Sequence, residues 1–306
     1  MTCPVCGSES RQVGMKNSYP VARCPACGHL FTARMPSAAE LADYYSRYSY
    51  DAFDLQHVPK FVFGRLKEVA ARFEAHRRGG RLLDVGFGAG AMLQVARDLG
   101  WEVYGLEMSA LAVKQAKENG FENAALGDFL ESPYPAGFFD VIVAVELLEH
   151  LRDPLSFLRQ AARLLAPEGL FYATTPNGGG LSCRALGLDW SAVAPQEHLH
   201  LFSEPSIRRA LRAQGFEEVE VSCEGINPYE LFHHFRSKLP LRALVERQAA
   251  FNRVESSYAL NYKLTESRKG AAIKATGNWI LRQAGWGDTL KVSAVKSANA
   301  PREKTT

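Results

Sequence analysis

Cys3-Pro-Val-Cys6-Gly and Cys24-Pro-Ala-Cys27-Gly repeat one short turn twice within the first 27 residues of the chain. Each turn can aim two thiolates at one point, and the Gly relieves crowding where backbone amides bend toward sulfur. With 17 residues between Cys6 and Cys24, the two turns complete a tetrahedral four-cysteine zinc site formed by Cys3, Cys6, Cys24 and Cys27. Four thiolates leave no open coordination position, so the metal is expected to be structural. Asn17-Ser18-Tyr19-Pro20 would sit in the hairpin between the turns. A redox Cys-x-x-Cys would need no duplicate, and disulfides fit a cytoplasmic chain poorly. Cys183 and Cys223 have no partner spacing and read as ordinary thiols.

At 306 residues, with 46% apolar and 23% charged residues, the chain has ample material for about two packed domains. No apolar run approaches the ~18 residues needed to cross a bilayer. The opening Met-Thr-Cys-Pro lacks a basic-then-apolar leader, and the expected setting is the cytoplasm. The net charge of +3 is unevenly spread. Residues 236–304 hold 14 Lys/Arg against 5 Asp/Glu, and residues 1–36 hold 4 against 1, leaving an acidic middle. That distribution argues against a chain coated in nucleic acid. It leaves the basic C-terminal part either to meet an anionic ligand or to form solvated helix faces.

From Arg81 onward, short apolar runs alternate with helical spacing. Strands are expected at 81–85, 102–106, 124–126, 139–145 and 169–174, with helices at 89–99, 109–119 and 154–165. Alternation of this kind implies parallel pairing in a doubly wound α/β sheet, with ligands beyond the carboxyl ends of the strands. The first strand runs into Asp84-Val-Gly86-Phe-Gly88-Ala-Gly90, a turn that lets a ligand approach the backbone closely. Asp84 precedes the glycines, where a carboxylate can meet a cationic ligand. Glu107 ends the second strand, where it can accept two ribose hydroxyls. A nicotinamide dinucleotide would favour a third Gly one place later.

These segments closely resemble the class I S-adenosylmethionine-dependent methyltransferases over about residues 59–225, and in a final strand at 288–296. The resemblance makes residues 84–90 the methionine-binding loop, with Phe87 where Cys is common. It makes Gly105-Leu-Glu107-Met108-Ser109 the ribose motif, and Gly127-Asp128-Phe129 the adenine motif, with Asp128 on the exocyclic amine and Phe129 near the ring. Phe139 to His150 resembles the fourth-strand motif, which brings Glu146 to the cofactor. Leu164 to Leu170 resembles the turn before the fifth strand. The implied fold is a doubly wound, Rossmann-like methyltransferase sheet with an N-terminal zinc ribbon and a helical insert before the last strand. The implied cofactor is S-adenosyl-L-methionine. Within these motifs Asp140 reads as an anchor for its strand, Glu149-His150 as a structural pair, and Asp153-Pro154 as a helix cap.

After the fifth strand come Thr175-Pro-Asn177-Gly-Gly-Gly180, Trp190 and Pro195-Gln-Glu197-His198-Leu-His200-Leu-Phe-Ser203. In this fold the loop borders the acceptor, so His198 is the candidate base, with Glu197 or His200 to orient it. Glu197-His198 resembles a segment of bacterial zinc-ribbon methyltransferases that modify sugar nucleotides, which implies acid/base roles. The competing reading is a brace before a helix capped by Ser203. Residues 59–78 read as an amphipathic helix, and the tyrosine cluster at 43–50 as domain packing ahead of a pocket cap. Residues 216–222 and 289–295 read as strands. The basic, aromatic segment between them reads as helices from Asn227, at 241–252 and at 267–284, forming a lid or a dimer surface. The expected organisation is a ribbon at 1–36, a connecting helical segment at 37–80, the core at 81–225, the insert at 226–287 and a closing strand with tail at 288–306. The expected activity is methyl transfer to a small-molecule, anionic acceptor such as a sugar nucleotide or glycan-related metabolite. The alternative is an RNA methyltransferase gripping RNA through the ribbon. Against it stand only four ribbon cations, few stacking aromatics, and no Asn/Asp-Pro-Pro-Tyr segment in the fourth-strand motif.

Overall fold

The computed structural model describes residues 1–37, 39–40, 54–237 and 268–298. The tyrosine cluster at 43–50 and the helix expected at 241–252 lie outside the described residues, as does most of the tail. Eleven strands are found among the described residues. β1 (Arg11–Lys16), β2 (Tyr19–Arg23) and β3 (Leu30–Thr32) belong to the cysteine-rich segment. The core contributes β4 (Arg81–Val85), β5 (Glu102–Glu107), β6 (Ala124–Leu126), β7 (Phe139–Val145) and β8 (Leu165–Pro176). A two-residue β9 (His200–Leu201) precedes β10 (Phe216–Glu224) and β11 (Thr289–Lys296).

The central sheet has the order β10-β11-β8-β7-β4-β5-β6. Strands β4 to β8 pair in parallel, while β11 runs antiparallel between β8 and β10. The order reverses between β4 and β7, which opens a crevice beyond their carboxyl ends. Strand alternation builds both faces: Ile142 and Ala144 of β7 join one buried cluster with Leu83 and Phe171, while Val141 and Val143 join another with Leu82 and Tyr172. Sheets covered on both faces need such continuous apolar strands.

Helices α1 (Lys60–Ala70), α2 (Ala91–Asp98), α3 (Ala110–Glu118) and α4 (Pro154–Leu164) are followed by α5 (Leu181–Leu186) and α6 (Glu204–Ala213). The insert supplies α7 (Pro228–Ser237) and α8 (Arg268–Ala284). Local chemistry sets the starts: Ser109 accepts from the Ala112 amide, and Asp153 from the Ser156 amide. Ser203 and Ser206 form a reciprocal capping box on α6. Asp140 accepts from the Arg78 and Gly80 amides, pinning the start of β7. The helix expected over 59–78 tightens into 3₁₀ geometry at Ala71–His76. Strand β8 begins earlier than its composition suggests. Ala166-Pro-Glu168-Gly169 is absorbed as an irregularity in the β7–β8 ladder, with Glu168 at φ +59°. None of the described helices is long and apolar enough to cross a membrane.

The cysteine segment does not stand apart from the core. Its hairpin turns at Asn17-Ser18, both at positive φ, and its sheet continues β1-β2-β3-β9. Leu30 pairs with Leu201 and Phe31 with His200, so a strand from the loop around His198 closes the ribbon's sheet.

Candidate functional site

The four cysteines converge. The Cys3 and Cys27 sulfurs are 3.7 Å apart, those of Cys6 and Cys24 3.5 Å, and all four lie within 4.8 Å of one another. A zinc–sulfur bond of about 2.3 Å in a tetrahedron places sulfurs about 3.8 Å apart, so the set fits that ion. The two turns repeat one hydrogen-bond pattern. The Gly7 amide donates to the Cys3 carbonyl and the Gly28 amide to the Cys24 carbonyl. Gly28 is left-handed at φ +75°, and a side chain there would press on Ser203.

At the end of β4, Asp84 is 3% exposed, and among the described residues no hydrogen-bond donor reaches its carboxylate. Burial, and then the charge of Glu107, push it up to about 8. Such a group is suited to a cationic partner. Glu107 is organised by backbone: Oε2 accepts from the Gly88 amide at 3.1 Å, and Oε1 from the Met108 and Ser109 amides at 2.8 and 3.0 Å. The glycine loop thus leans on the carboxylate at the end of the next strand. Gly88 sits at φ +52° and faces open space, with nothing within 4 Å of where a side chain would begin. Phe87 turns away, its ring pressed on Gly105 at under 3 Å from the position a Cβ would take there.

The residues expected at the adenine divide. Asp128 caps a 3₁₀ turn, Oδ1 accepting from the Leu130 amide at 2.8 Å, and stays exposed. Phe129 places its ring in the core, 4.5 Å from that of Phe157, rather than on an open face. The uncovered apolar surface comes instead from Met108, Leu126 and Leu130, at 72, 57 and 45% exposure. Leu126 is the sheet neighbour of Glu107. Leu126 and Leu130 escaped sequence reasoning; the signal was an apolar residue on each side of the Gly127-Asp128 turn. Together with Asp84, Glu107 and the open space at Gly88, this surface fits an adenosine carrying a cationic amino-acid end.

Beyond β7 lies the second half of the site. Glu146 holds a left-handed φ of +49°, a strained setting for a non-glycine residue. Its amide donates to the Thr174 carbonyl, and the Thr174 hydroxyl donates to Oε1 at 2.7 Å. Its side chain is open to solvent, yet the protein surrounding it pushes the carboxyl above its ordinary range. Glu149, 1% exposed, accepts from the Thr175 hydroxyl at 2.9 Å. Burial and the Glu146 charge raise it well above the carboxylate range. His150 is pushed down to about 4 by burial and by the facing His198. Its ring centroid is 4.8 Å from that of His198, edge to face.

His198 makes an orienting hydrogen bond to the backbone. Its Nδ1 lies 2.8 Å from the Ala192 carbonyl, which can only accept, so Nδ1 carries a proton and Nε2 is the nitrogen left to exchange one. A backbone carbonyl leaves no trace in sequence. Glu197 acts on His150, through its charge and its backbone carbonyl. His200 is fully buried, its Nδ1 3.0 Å from His29 Nε2. Glu149, His150 and His198 offer ligand atoms within 4.8 Å of one another, an arrangement able to pass a proton or to accept a cation.

A family model described as "Methyltransferase domain" matches residues 55–221. A ubiquinone biosynthesis O-methyltransferase of Xanthomonas oryzae pv. oryzae is 27% identical over 190 residues, 60% of this chain and 78% of that protein. The enzyme of the same name from Xanthomonas campestris pv. campestris is 35% identical over 120 residues, 37% of this chain and 49% of that protein. Among solved structures, a SAM-dependent methyltransferase from Archaeoglobus fulgidus superposes with a TM-score of 0.51 at 18% identity, covering 85% of this chain and all of that one. Haemonchus contortus phosphoethanolamine N-methyltransferase 2, in complex with S-adenosyl-L-methionine, gives 0.53 at 20% identity, covering 88% of this chain and 62% of that one. With the family model spanning more than half its length, the chain belongs to the methyltransferase-domain family and is an S-adenosylmethionine-dependent methyltransferase.

Proposed function

We propose that this enzyme methylates an oxygen of a small-molecule acceptor, and that His198 is the base that takes the acceptor's proton. The observation that carries the reading is the His198 ring. Its Nδ1 is fixed on the Ala192 carbonyl, which makes Nε2 the ring nitrogen able to accept a proton, beside the buried Glu149 and a His150 that burial keeps neutral. S-adenosylmethionine supplies an electrophilic sulfonium methyl, for which the leaving sulfur needs no acid. Asp84 holds the ammonium and Glu107 the ribose, while Gly86, Gly88 and Gly90 keep the backbone close. Asp128 caps the adenine end, Met108 supplies apolar cover, and Phe129 supports that turn from beneath. Glu146 stands between the two halves, and Glu197 tunes His150. An acceptor hydroxyl needs its proton removed as the bond to carbon forms, which a base of near-neutral pKa does best.

Oxygen as the acceptor atom is supported by the relatives' names. A sugar nucleotide or glycan-related metabolite remains the acceptor class suggested by residues 195–203. The cysteine site holds a structural zinc in this reading. An RNA acceptor is disfavoured by how the ribbon cations are used. Arg23 donates to the Gly178 carbonyl and the Cys183 sulfur, Lys16 to the Trp190 carbonyl, and Arg34 to Glu40. Methyl-transfer screening across nucleotide sugars, phenols, lipid-linked glycans and RNA tests the acceptor class. On the acceptor so found, His198→Ala should lower turnover roughly 10²–10⁴-fold with S-adenosylmethionine affinity unchanged. Near-parental turnover would return His198 to a loop brace.

A further inference from the structure

The segment from Trp190 to Leu199 carries His198 without a helix or strand of its own. Such a segment holds a catalytic ring in place only if something outside it does the holding. Two peptide contacts bracket His198, and both come from Thr32 at the end of the ribbon's third strand. The Thr32 amide donates to the Leu199 carbonyl at 2.9 Å, and its hydroxyl donates to the Pro195 carbonyl at 3.2 Å. Thr32 is 2% exposed, so these bonds have no water to replace them. From the opposite side, the Leu199 amide donates to the backbone carbonyl of Glu149 at 2.7 Å. The residue following His198 is therefore held between ribbon and core, by its carbonyl on one side and its amide on the other.

The metal turns fasten the same segment at its far end. The Ser203 hydroxyl donates to the Cys27 carbonyl at 2.6 Å. Lys16 Nζ donates to the Trp190 carbonyl at 2.9 Å, where the segment begins. The cysteine-rich domain thus touches the loop at its start, on both sides of His198 and at its end.

We infer that the ribbon is the frame of the acceptor loop, and that Thr32 is a positioning residue that sets His198. This rests on His198 acting as the base. A loose loop would leave the base displaced by a fraction of an ångström to an ångström, which is enough to lower the rate while cofactor binding continues.

The test uses the full-length, zinc-replete enzyme with the acceptor identified above. Thr32→Val keeps the shape and the amide but removes the hydroxyl bond. It should lower kcat roughly tenfold, with KM and S-adenosylmethionine affinity near parental and the zinc content unchanged. Hydrogen exchange should quicken within residues 190–199 and stay slow in residues 81–145. Thr32→Ser restores the hydroxyl and should recover both rate and protection. In a His198→Ala background, Thr32→Val should cost nothing further, because no base remains to misplace. Parental kcat and exchange in Thr32→Val, with His198→Ala still impaired, would overturn the positioning role and leave the base assignment standing. Near-parental turnover in His198→Ala would overturn both. Faster exchange across residues 81–145, or lost zinc, together with failed rescue by Ser, would mark a general loss of fold and also overturn it.

Discussion

Asp84 shows how one carboxyl can report on a whole binding event. Buried, and with no donor to its carboxylate among the described residues, it is pushed up to about 8, against about 3.9 in an unfolded chain. At pH 7 it is therefore largely protonated. A cationic amino-acid end placed against it favours the ionised form, so binding must expel the proton. The sign follows: below about pH 8 affinity rises with pH, because protonation competes with the cation. S-adenosylmethionine titrated calorimetrically at pH 6.5–7 in buffers of different ionisation enthalpy should show release of nearly one proton. Asp84→Asn should abolish that release and weaken binding. Equal proton release by both proteins would remove Asp84 from the site. Glu107 sits in the opposite environment, accepting from three backbone amides. The two acidic residues thus play different parts for reasons that lie in their surroundings rather than their identity.

At the scale of elements, the sequence is most readable where a local pattern carries the whole instruction. The doubled Cys-x-x-Cys-Gly needs only its own turns and the short hairpin between them to bring the four sulfurs within 4.8 Å of one another. Ser109, Asp153 and Ser203 mark helix starts because a short side chain caps its own neighbours. The Gly86–Gly90 turn and Glu107 lie at consecutive strand ends, and parallel pairing makes them neighbours. What was not readable depends on distant partners. Strand β9 is two residues long and owes its existence to β3, about 170 residues away. The orienting partner of His198 is a carbonyl, which every residue possesses. The inward turn of Phe129 is decided by Phe157, from a different helix. The ribbon offers the corresponding prediction. Cys24→Ser should abolish stoichiometric zinc, as read by elemental analysis, and lower the ribbon's stability. S-adenosylmethionine affinity should stay within about twofold, since Asp84 and Glu107 belong to the other sheet. Freshly purified parent protein without metal would refute the zinc assignment.

At the scale of the whole described molecule, the ribbon's sheet closes on the loop from the core at a buried histidine pair. His29 follows the second cysteine turn and His200 lies on β9. Their rings are stacked at 5.3 Å, and both are fully buried beside Phe202. One hydrogen bond joins them, with one ring nitrogen donating and the other accepting. Burial lowers both: His200 falls to about 4, and His29 well below its ordinary value, the latter also opposed by His200 and Arg23. The Arg152 backbone and the Asp153 charge offset the shift at His200 only in part. An unfolded histidine takes up its proton near 6.5, whereas the folded His200 resists until about 4. The unfolded chain thus binds more protons between these values, and stability falls as pH drops through that window. Over pH 6.5 to 5, above the acid range of the folded group, His200 alone should cost about 2 kcal/mol. Denaturant unfolding of the zinc-loaded protein should therefore show stability declining from pH 7 to 5. His200→Gln keeps a buried hydrogen-bonding group that does not titrate. It should lower stability at pH 7 yet flatten the decline by close to one proton. A parental slope in that variant would mean that the buried histidine pair is not where acid enters this fold.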